Sequence, residues 1–332
     1  MKVLILGGTS FFGKDIARRF YEAGHTVTLF TRGNQLPADL PPHEHFRGDR
    51  NRMEDLLRVA AAGPWDVVVD NIAYDGDAVR NAATAFRGVG RYLLMSTVSI
   101  YRYVNIAYPQ PLLEGGVDFA YTPPQEDLGD VHWKYARGKL EAERALIDQK
   151  ELRWTILRPP VVYGPFDITD RGFWYLGRLL KGGPICLANG GNNAFRLVYS
   201  QDVARATVAA AEREKAVGAI YNVAQSEVIT LRDFVLESAR AYGLSPEIVN
   251  VPQEILGELG GPYASMINLI SDIGAAQRDL GYHPTPFADF ASSSALWFRE
   301  HWKGDQAKLL ETRQEELKIA DRWKAVVSSW KN

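Results

Sequence analysis

Lys2-Val3-Leu4-Ile5-Leu6-Gly7-Gly8-Thr9-Ser10-Phe11-Phe12-Gly13 decides the fold, because an apolar run meets a glycine turn and helical periodicity begins directly after it. A strand buried on both faces reads as a continuous apolar run rather than an alternation. The turn that follows needs residues without bulk, since amides and a helix N-terminus placed there can face a pyrophosphate. Gly7 suits a tight turn and Gly13 suits close packing of helix on strand, with Thr9, Ser10, Phe11 and Phe12 between them as candidate cofactor contacts. In a G-x-x-G-x-x-G spacing the middle place falls on Ser10. Serine is small and its hydroxyl donates to phosphate, although its Cβ restricts the approach of the backbone.

The same alternation runs outward from this stretch. Segments 26–30, 67–69, 92–95 and 155–157 are short, apolar and partly β-branched, and segments 12–23, 52–62, 78–86 and 133–149 between them carry helical patterns. Strand, helix and strand in succession predict an α/β fold, a doubly wound parallel Rossmann sheet whose ligand sits beyond the carboxyl ends of its strands. After Gly164-Pro165 the pattern changes. Residues 1–165, with a strand and helix returning from about 197–224, are expected to form the dinucleotide-binding domain. Residues 166–196 and 225–302 are expected to form a smaller, discontinuous C-terminal substrate-binding domain, in which Thr230-Leu231-Arg232-Asp233 opens a helix. Residues 303–332 read as an amphipathic helix with Leu310, Leu317, Ala320, Trp323, Val327 and Trp330 on its apolar side.

Composition narrows the function. The 332 residues are 46% hydrophobic, and 38 basic against 40 acidic side chains leave a net charge of -2. No overall cationic field attracts nucleic acid or anionic lipid. The single cysteine excludes an intramolecular disulfide and a multi-cysteine zinc cage, and Cys186, in an apolar run, is expected to be buried and inert. Apolar runs fall well short of the ~20 residues of a membrane helix. The amino terminus enters the glycine turn without a signal-peptide pattern, so a soluble, cytoplasmic protein is expected. His43 and His45 lack a third partner at ligand spacing, and no metal is expected.

Two further features carry chemistry. An NAD site places a carboxylate about 20 residues after the glycine turn, on the ribose hydroxyls. Here Thr31-Arg32-Gly33-Asn34 has no acid, and the planar fork of Arg32 matches a 2'-phosphate, so NADP is expected, with NAD as the alternative. Asp49 and Arg50 are expected to border the adenine, and Tyr74 the cofactor rim. The second feature is Tyr135-Ala136-Arg137-Gly138-Lys139, which puts a phenol and an ammonium on one helix face. A neighbouring cation favours phenolate, so such an oxygen can exchange a proton with a hydroxyl or carbonyl. Upstream, Met95-Ser96-Thr97-Val98-Ser99-Ile100-Tyr101 ends a strand in hydroxyl residues able to hydrogen-bond a reacting oxygen.

On the glycine turn, Ser96 to Tyr101, Tyr135 to Lys139, Leu157 to Pro165 and Val198 to Ala204, the chain resembles the extended, NAD-dependent epimerase/dehydratase-like branch of the short-chain dehydrogenase/reductase superfamily. The resemblance implies Tyr135 as acid/base, Lys139 on the nicotinamide ribose, and Thr97 in the catalytic Ser/Thr place, with Ser96 and Ser99 as alternatives. It implies that Pro159 to Val162 pass beside the nicotinamide and that the helix carrying Tyr135 forms a homodimer contact. The expected activity is hydride transfer to or from a hydroxyl or carbonyl carbon of a small-molecule substrate, a nucleotide sugar being one candidate; the expected substrate contacts are Ser99, Tyr101, Tyr163 and Arg196. Relatives that act on nucleotide sugars often carry an arginine seven residues before the aspartate matching Asp202, where this chain has Phe195 and then Arg196. That departure resembles a divergent subgroup containing chloroplast stem-loop binding proteins and bacterial reductase-like proteins. It supplies an alternative, a non-catalytic RNA-binding or regulatory protein on the same scaffold. The near-neutral charge and the Tyr135/Lys139 pair disfavour it. Segment 102–132, with Tyr103, Tyr108, Pro109, Pro111, Phe119, Tyr121, Pro123 and Pro124, is long enough for a substrate lid or for a surface excursion packed on its own aromatics.

Overall fold

Val3 and Ile5 point to one face of the first strand and Leu4 and Leu6 to the other, and all are fully buried. Such a strand belongs in the middle of a covered sheet. The computed structural model, which describes residues 1–33, 36–104, 110–264 and 270–330, places it there. Strands β1 (Lys2–Leu6), β2 (Thr26–Thr31), β3 (Glu44–Arg47), β4 (Val67–Asp70), β5 (Arg91–Met95) and β6 (Trp154–Arg158) join Ala219–Asn222 in a seven-stranded sheet. Its order is Ala219–Asn222, β6, β5, β4, β1, β2, β3. All neighbours are parallel, with Val3 beside both Val27 and Val67.

Helices α1 (Phe12–Glu22), α2 (Met53–Ala61), α3 (Gly76–Ala85) and α4 (Val131–Ile147) supply crossovers. Ile16 and Phe20 of α1 share a core with Val3, Ile5 and Val203 of helix Ser200–Glu212. On the opposite face Leu4 and Leu6 share a core with Leu56, Val59, Val79 and Leu146 from α2, α3 and α4. From β1 the chain passes outward to β2 and β3, whereas β4 lies on its other side. The carboxyl ends of β1 and β4 therefore flank the topological switch point, where open α/β sheets hold ligands.

The chain divides into two units. The first comprises Met1–Val162, Leu197–Ala224 and Ser271–Pro284, so a third segment, absent from the sequence-based division, belongs to the Rossmann unit. The second comprises Tyr163–Arg196, Gln225–Ile270 and Thr285–Asn332. In the second unit, strand Ile185–Ala188 pairs in parallel with Ile248–Val251, and Ala194–Phe195 pairs antiparallel with Ile229–Thr230. Thr230 and Asp233 form a capping box that opens helix Leu231–Ala241. Phe234 of that helix centres an aromatic core with Tyr163 and Tyr263, both 5.3 Å away between ring centres.

Helix Gln306–Ser329 requires a correction. Its buried residues are Leu309, Arg313, Glu316 and Ala320, whereas Leu310 and Trp330 are exposed. Of the apolar positions expected from periodicity Ala320 is buried and Leu317, Trp323 and Val327 are half-buried, while a buried ion pair, Arg313 with Glu316, anchors the turn before them. Among the described residues no helix is long and apolar enough to cross a membrane.

Candidate active site

The glycine turn leaves β1 with Gly7 at φ 99° and Gly8 at φ 93°, a region that L side chains rarely adopt. A Cβ on Gly8 would lie 2.9 Å from Leu29 Cδ2, and one on Gly13 would lie 3.0 Å from Gly8 Cα. Gly8, which the motif spacing passed over, is thus as constrained as Gly13; its adjacency to Gly7 is the signal in the sequence. Phe11, also at positive φ (46°), is buried, and Phe12 packs its ring 5.5 Å from it. Across the switch point, Asn71 follows β4 with its backbone N–H on Leu6 O at 3.3 Å. Among the described residues neither side-chain atom Asn71 Oδ1 nor Nδ2 has a hydrogen-bond partner, although both are buried. A cradle of glycines beside orphaned amide groups, at the carboxyl ends of β1 and β4, fits a dinucleotide.

At the far end of this crevice Arg32 follows β2 with an exposed side chain. Arg47, at the end of β3, donates from Nε to Arg32 O at 3.1 Å and packs its stem against Gly33. Arg32 and Arg47 therefore stand side by side at the ends of β2 and β3; the β2–β3 pairing that brings Arg47 there is not written in the local sequence. Asn34 lies outside the described residues. Asp49 opens the turn into α2, accepting the Asn51 N–H on Oδ1 at 2.9 Å. Arg50, expected beside the adenine, turns into the fold. It is buried and its Nη2 donates to Asp70, which also accepts the Tyr92 hydroxyl.

Lys139 and Tyr135 leave α4 one turn apart. The Lys139 ammonium is buried and donates to Ala73 O at 2.7 Å and to Met95 O at 2.8 Å, which seats it at the ends of β4 and β5. Burial lowers Lys139 from the ordinary lysine range to about 8, against the opposing pull of Asp70 and Glu143. Its Nζ lies 6.0 Å from the centre of the Tyr135 ring and 4.9 Å from that of Tyr74. The two rings are 6.4 Å apart and both are exposed, so the ammonium has two phenols beside it rather than one. Thr97 follows Met95 by two residues; its Oγ1 accepts the Ser99 N–H at 3.1 Å and donates to Ser99 Oγ at 3.2 Å, capping a short 3-10 turn.

Ser96 points inward instead. Its hydroxyl donates to Glu143, which Arg158 grips with both Nε (3.0 Å) and Nη2 (2.6 Å). Arg158 Nη1 also donates to the Tyr101 oxygen at 3.2 Å, and the Tyr101 hydroxyl donates to Asn222 Oδ1 at 2.7 Å. Burial pushes Tyr101 up to about 12. Its hydroxyl is thus engaged inside the fold, and the expected substrate contact is corrected accordingly. Pro159 O accepts the Val98 N–H at 3.0 Å, whereas Val162 packs in the core with Leu93, Met95 and Leu157. Of the residues assigned to the second unit, Tyr163 is buried among Phe234, Phe290 and Phe298, and Arg196 Nη2 donates to Ser226 O at 3.0 Å. Arg196 is one residue past the fully buried Phe195, and that one-residue offset changes the face it presents.

The described part of segment 102–132 is tied to α4. Glu126 accepts from Arg137 Nε at 2.8 Å and Nη2 at 2.7 Å and from the Tyr103 hydroxyl, and the Arg137 pair holds its carboxyl below the usual range. Tyr108 and Pro109 lie outside the described residues. His45 Nε2 is 2.9 Å from Thr31 Oγ1 and His43 Nδ1 is 2.7 Å from Pro41 O. Cys186 is buried with its thiol pushed up to about 12 by burial.

A parallel doubly wound sheet, a glycine turn at its switch point, and a lysine and tyrosine one helical turn apart beside it define a nucleotide-binding α/β protein of the dehydrogenase type. Residues 3–224 match the NAD dependent epimerase/dehydratase family, and the chain belongs to it. It is 30% identical over 263 residues to the chloroplast stem-loop binding protein of 41 kDa b of Arabidopsis thaliana, a match spanning 75% of this chain and 65% of that protein. It is 26% identical to the 2-alkyl-3-oxoalkanoate reductase of Stenotrophomonas maltophilia, across 73% of this chain and 76% of that one. In fold it is similar to the UDP-glucose 4-epimerase of Thermus thermophilus in complex with NAD, with a TM-score of 0.68 at 21% identity, covering 91% of this chain and 100% of that chain.

Proposed function

We propose that the protein is an oxidoreductase using a nicotinamide cofactor, NADP before NAD, on a hydroxyl or carbonyl carbon of a small substrate. One observation carries this reading: the Lys139 ammonium sits on the Ala73 carbonyl just after β4 and on the Met95 carbonyl that ends β5, with the Tyr135 ring a helical turn away. The cofactor, when bound, supplies or accepts the hydride at the substrate carbon. Gly7 makes the turn beside Asn71, Gly8 and Gly13 let that turn pack tightly on β2 and α1 so that its amides would meet the pyrophosphate, and Arg32 with Arg47 would meet the 2'-phosphate. Tyr135 gives a proton from its hydroxyl to the substrate oxygen during carbonyl reduction and takes it back during oxidation. Lys139 supplies fixed positive charge beside that phenol and, with its carbonyl partners, a rigid point for the ribose. Thr97 orients the substrate oxygen from the end of β5.

A nucleotide-diphosphate sugar is a weaker substrate proposal, because the buried Phe195 stands where an arginine would meet the diphosphate. A second reading, RNA binding, has the name of the 30% identical relative in its favour. Against it stands an ammonium held under two phenols, which a pure RNA binder does not need. A gel shift with structured RNA across a salt series, beside fluorescence quenching by NADPH, separates the two readings. Arg32→Ala is expected to weaken NADPH by roughly 10- to 100-fold and to leave NADH nearly unchanged, the size of a charge-assisted hydrogen bond. Equal losses for both cofactors, measured by the same quenching titration, would remove the NADP preference.

A further inference from the structure

We propose that Asp70 and Glu143 are positioning residues that brace the Lys139 ammonium from two sides, with Arg50 and Arg158 as outer counterions. Arg50, Asp70, Lys139, Glu143 and Arg158 make a series of alternating charge, and each is 5% exposed or less. Water therefore screens none of them effectively, and their mutual interactions persist where surface pairs fade. The inference rests on the proposed function only for what the lysine does; the brace itself is a property of the first unit.

The ammonium is taken out of water at high cost, and two carbonyl oxygens do not return the lost solvation of a full charge. Fixed negative charge nearby does. Asp70 ends β4, three residues before the Ala73 carbonyl that Lys139 grips. Glu143 stands one turn beyond Lys139 on the same face of α4 and accepts from Ser96, the residue after the Met95 carbonyl that Lys139 also grips. Both carboxylates act electrostatically on Lys139 to favour its charged form, while Arg50 opposes it. The other groups facing this series are Tyr92 on Asp70, Asp75 on Arg50, Tyr101 with the carbonyl and carboxylate of Glu114 on Arg158, and the rings of Tyr74 and Tyr135 on Lys139.

Each carboxylate is held in turn. Asp70 accepts from Arg50, Tyr92 and the Ile72 N–H, and Glu143 accepts from Arg158 and Ser96. Neither has freedom to swing toward a ligand. Their role is to keep positive charge at one point beneath Tyr135, so the tuning of the site resides in residues that touch neither cofactor nor substrate.

The test follows the lysine directly. In full-length protein labelled with 13C at lysine Cε, the resonance missing from Lys139→Met identifies Lys139, and its titration midpoint in the wild type is expected at about 8. Glu143→Gln and Asp70→Asn should each move that midpoint down by roughly one pH unit, the lower end of what a nearby opposite charge contributes. Because a lone buried arginine destabilises the fold, Glu143→Gln with Arg158→Met removes both charges of that pair and should show a smaller shift in the same downward direction, Arg158 lying farther from the ammonium in the series. A folded variant whose midpoint stays at the wild-type value overturns the brace, even if its thermal stability falls, since stability is all a merely structural role would change. NADPH quenching in the wild type reads the other question. Absence of binding sinks the proposed function, while a shifted lysine midpoint still supports the brace.

Discussion

Tyr135→Phe is expected to bind NADPH as the wild type does and to lose turnover by about 100- to 10,000-fold, the usual contribution of a positioned acid or base. The phenol oxygen is the only atom removed. Tyr135 lies on the exposed side of α4, its ring 6.4 Å from that of Tyr74 and 6.0 Å from the Lys139 ammonium, so phenylalanine keeps the packing and the ring face. Nothing that seats the ammonium changes, because its hydrogen bonds go to the Ala73 and Met95 carbonyls. The loss should therefore fall on kcat and leave cofactor affinity intact. Tyr74 makes the control informative. Tyr74→Phe, with the ring closer to Lys139, should change kcat by much less if Tyr135 moves the proton. Steady-state kinetics with an aldehyde or ketone panel, alongside cofactor titration, provide the measurement. A Tyr135→Phe protein with unchanged kcat would end the proposed mechanism.

Glu316→Ala should destabilise the second unit by roughly 3–5 kcal/mol, as loss of one partner in a buried ion pair does. Glu316 Oε1 accepts the backbone N–H of Cys186 at 2.8 Å, and Oε2 accepts Arg313 Nη1 at 2.6 Å and lies 2.9 Å from Arg178 Nε. All three charged side chains are buried, and Arg178 also covers the Trp174 ring at 3.7 Å. Deleting the carboxylate leaves two guanidinium groups without compensation and unfastens helix Gln306–Ser329 from strand Ile185–Ala188. Urea unfolding followed by tryptophan fluorescence reads the change in midpoint. A loss below about 1 kcal/mol would mean that water reaches the cluster and screens it as it does a surface pair.

The two experiments probe residues of different legibility. Tyr135 and Lys139 were visible in the sequence because four residues of helix put two side chains on one face whatever surrounds them. Val3 to Leu6 and the glycines after them were visible for a similar reason: buried strands and turns with positive φ restrict residue type locally. Arg50, Ser96 and Tyr101 turn inward where the sequence reading faced them to the site, since each is a polar residue beside it and nothing local shows which way it turns. Partners on other elements, Asp70 for Arg50, Glu143 for Ser96 and Asn222 for Tyr101, draw these side chains inward. Glu316 lies outside the apolar positions read from the helix periodicity, and its buried partners Cys186 and Arg178 are distant in sequence.

By itself the sequence determined the alternation of strand and helix, the glycine turn and the phenol–ammonium spacing, because each depends on backbone sterics or on neighbours within one turn. Only the tertiary structure decided which charges are buried, which carboxylates stand around Lys139, and which face of the last helix turns inward. A buried charge is tolerated solely where a distant partner offsets its lost hydration, and the position of that partner is a property of the packed sheet and helices rather than of any segment.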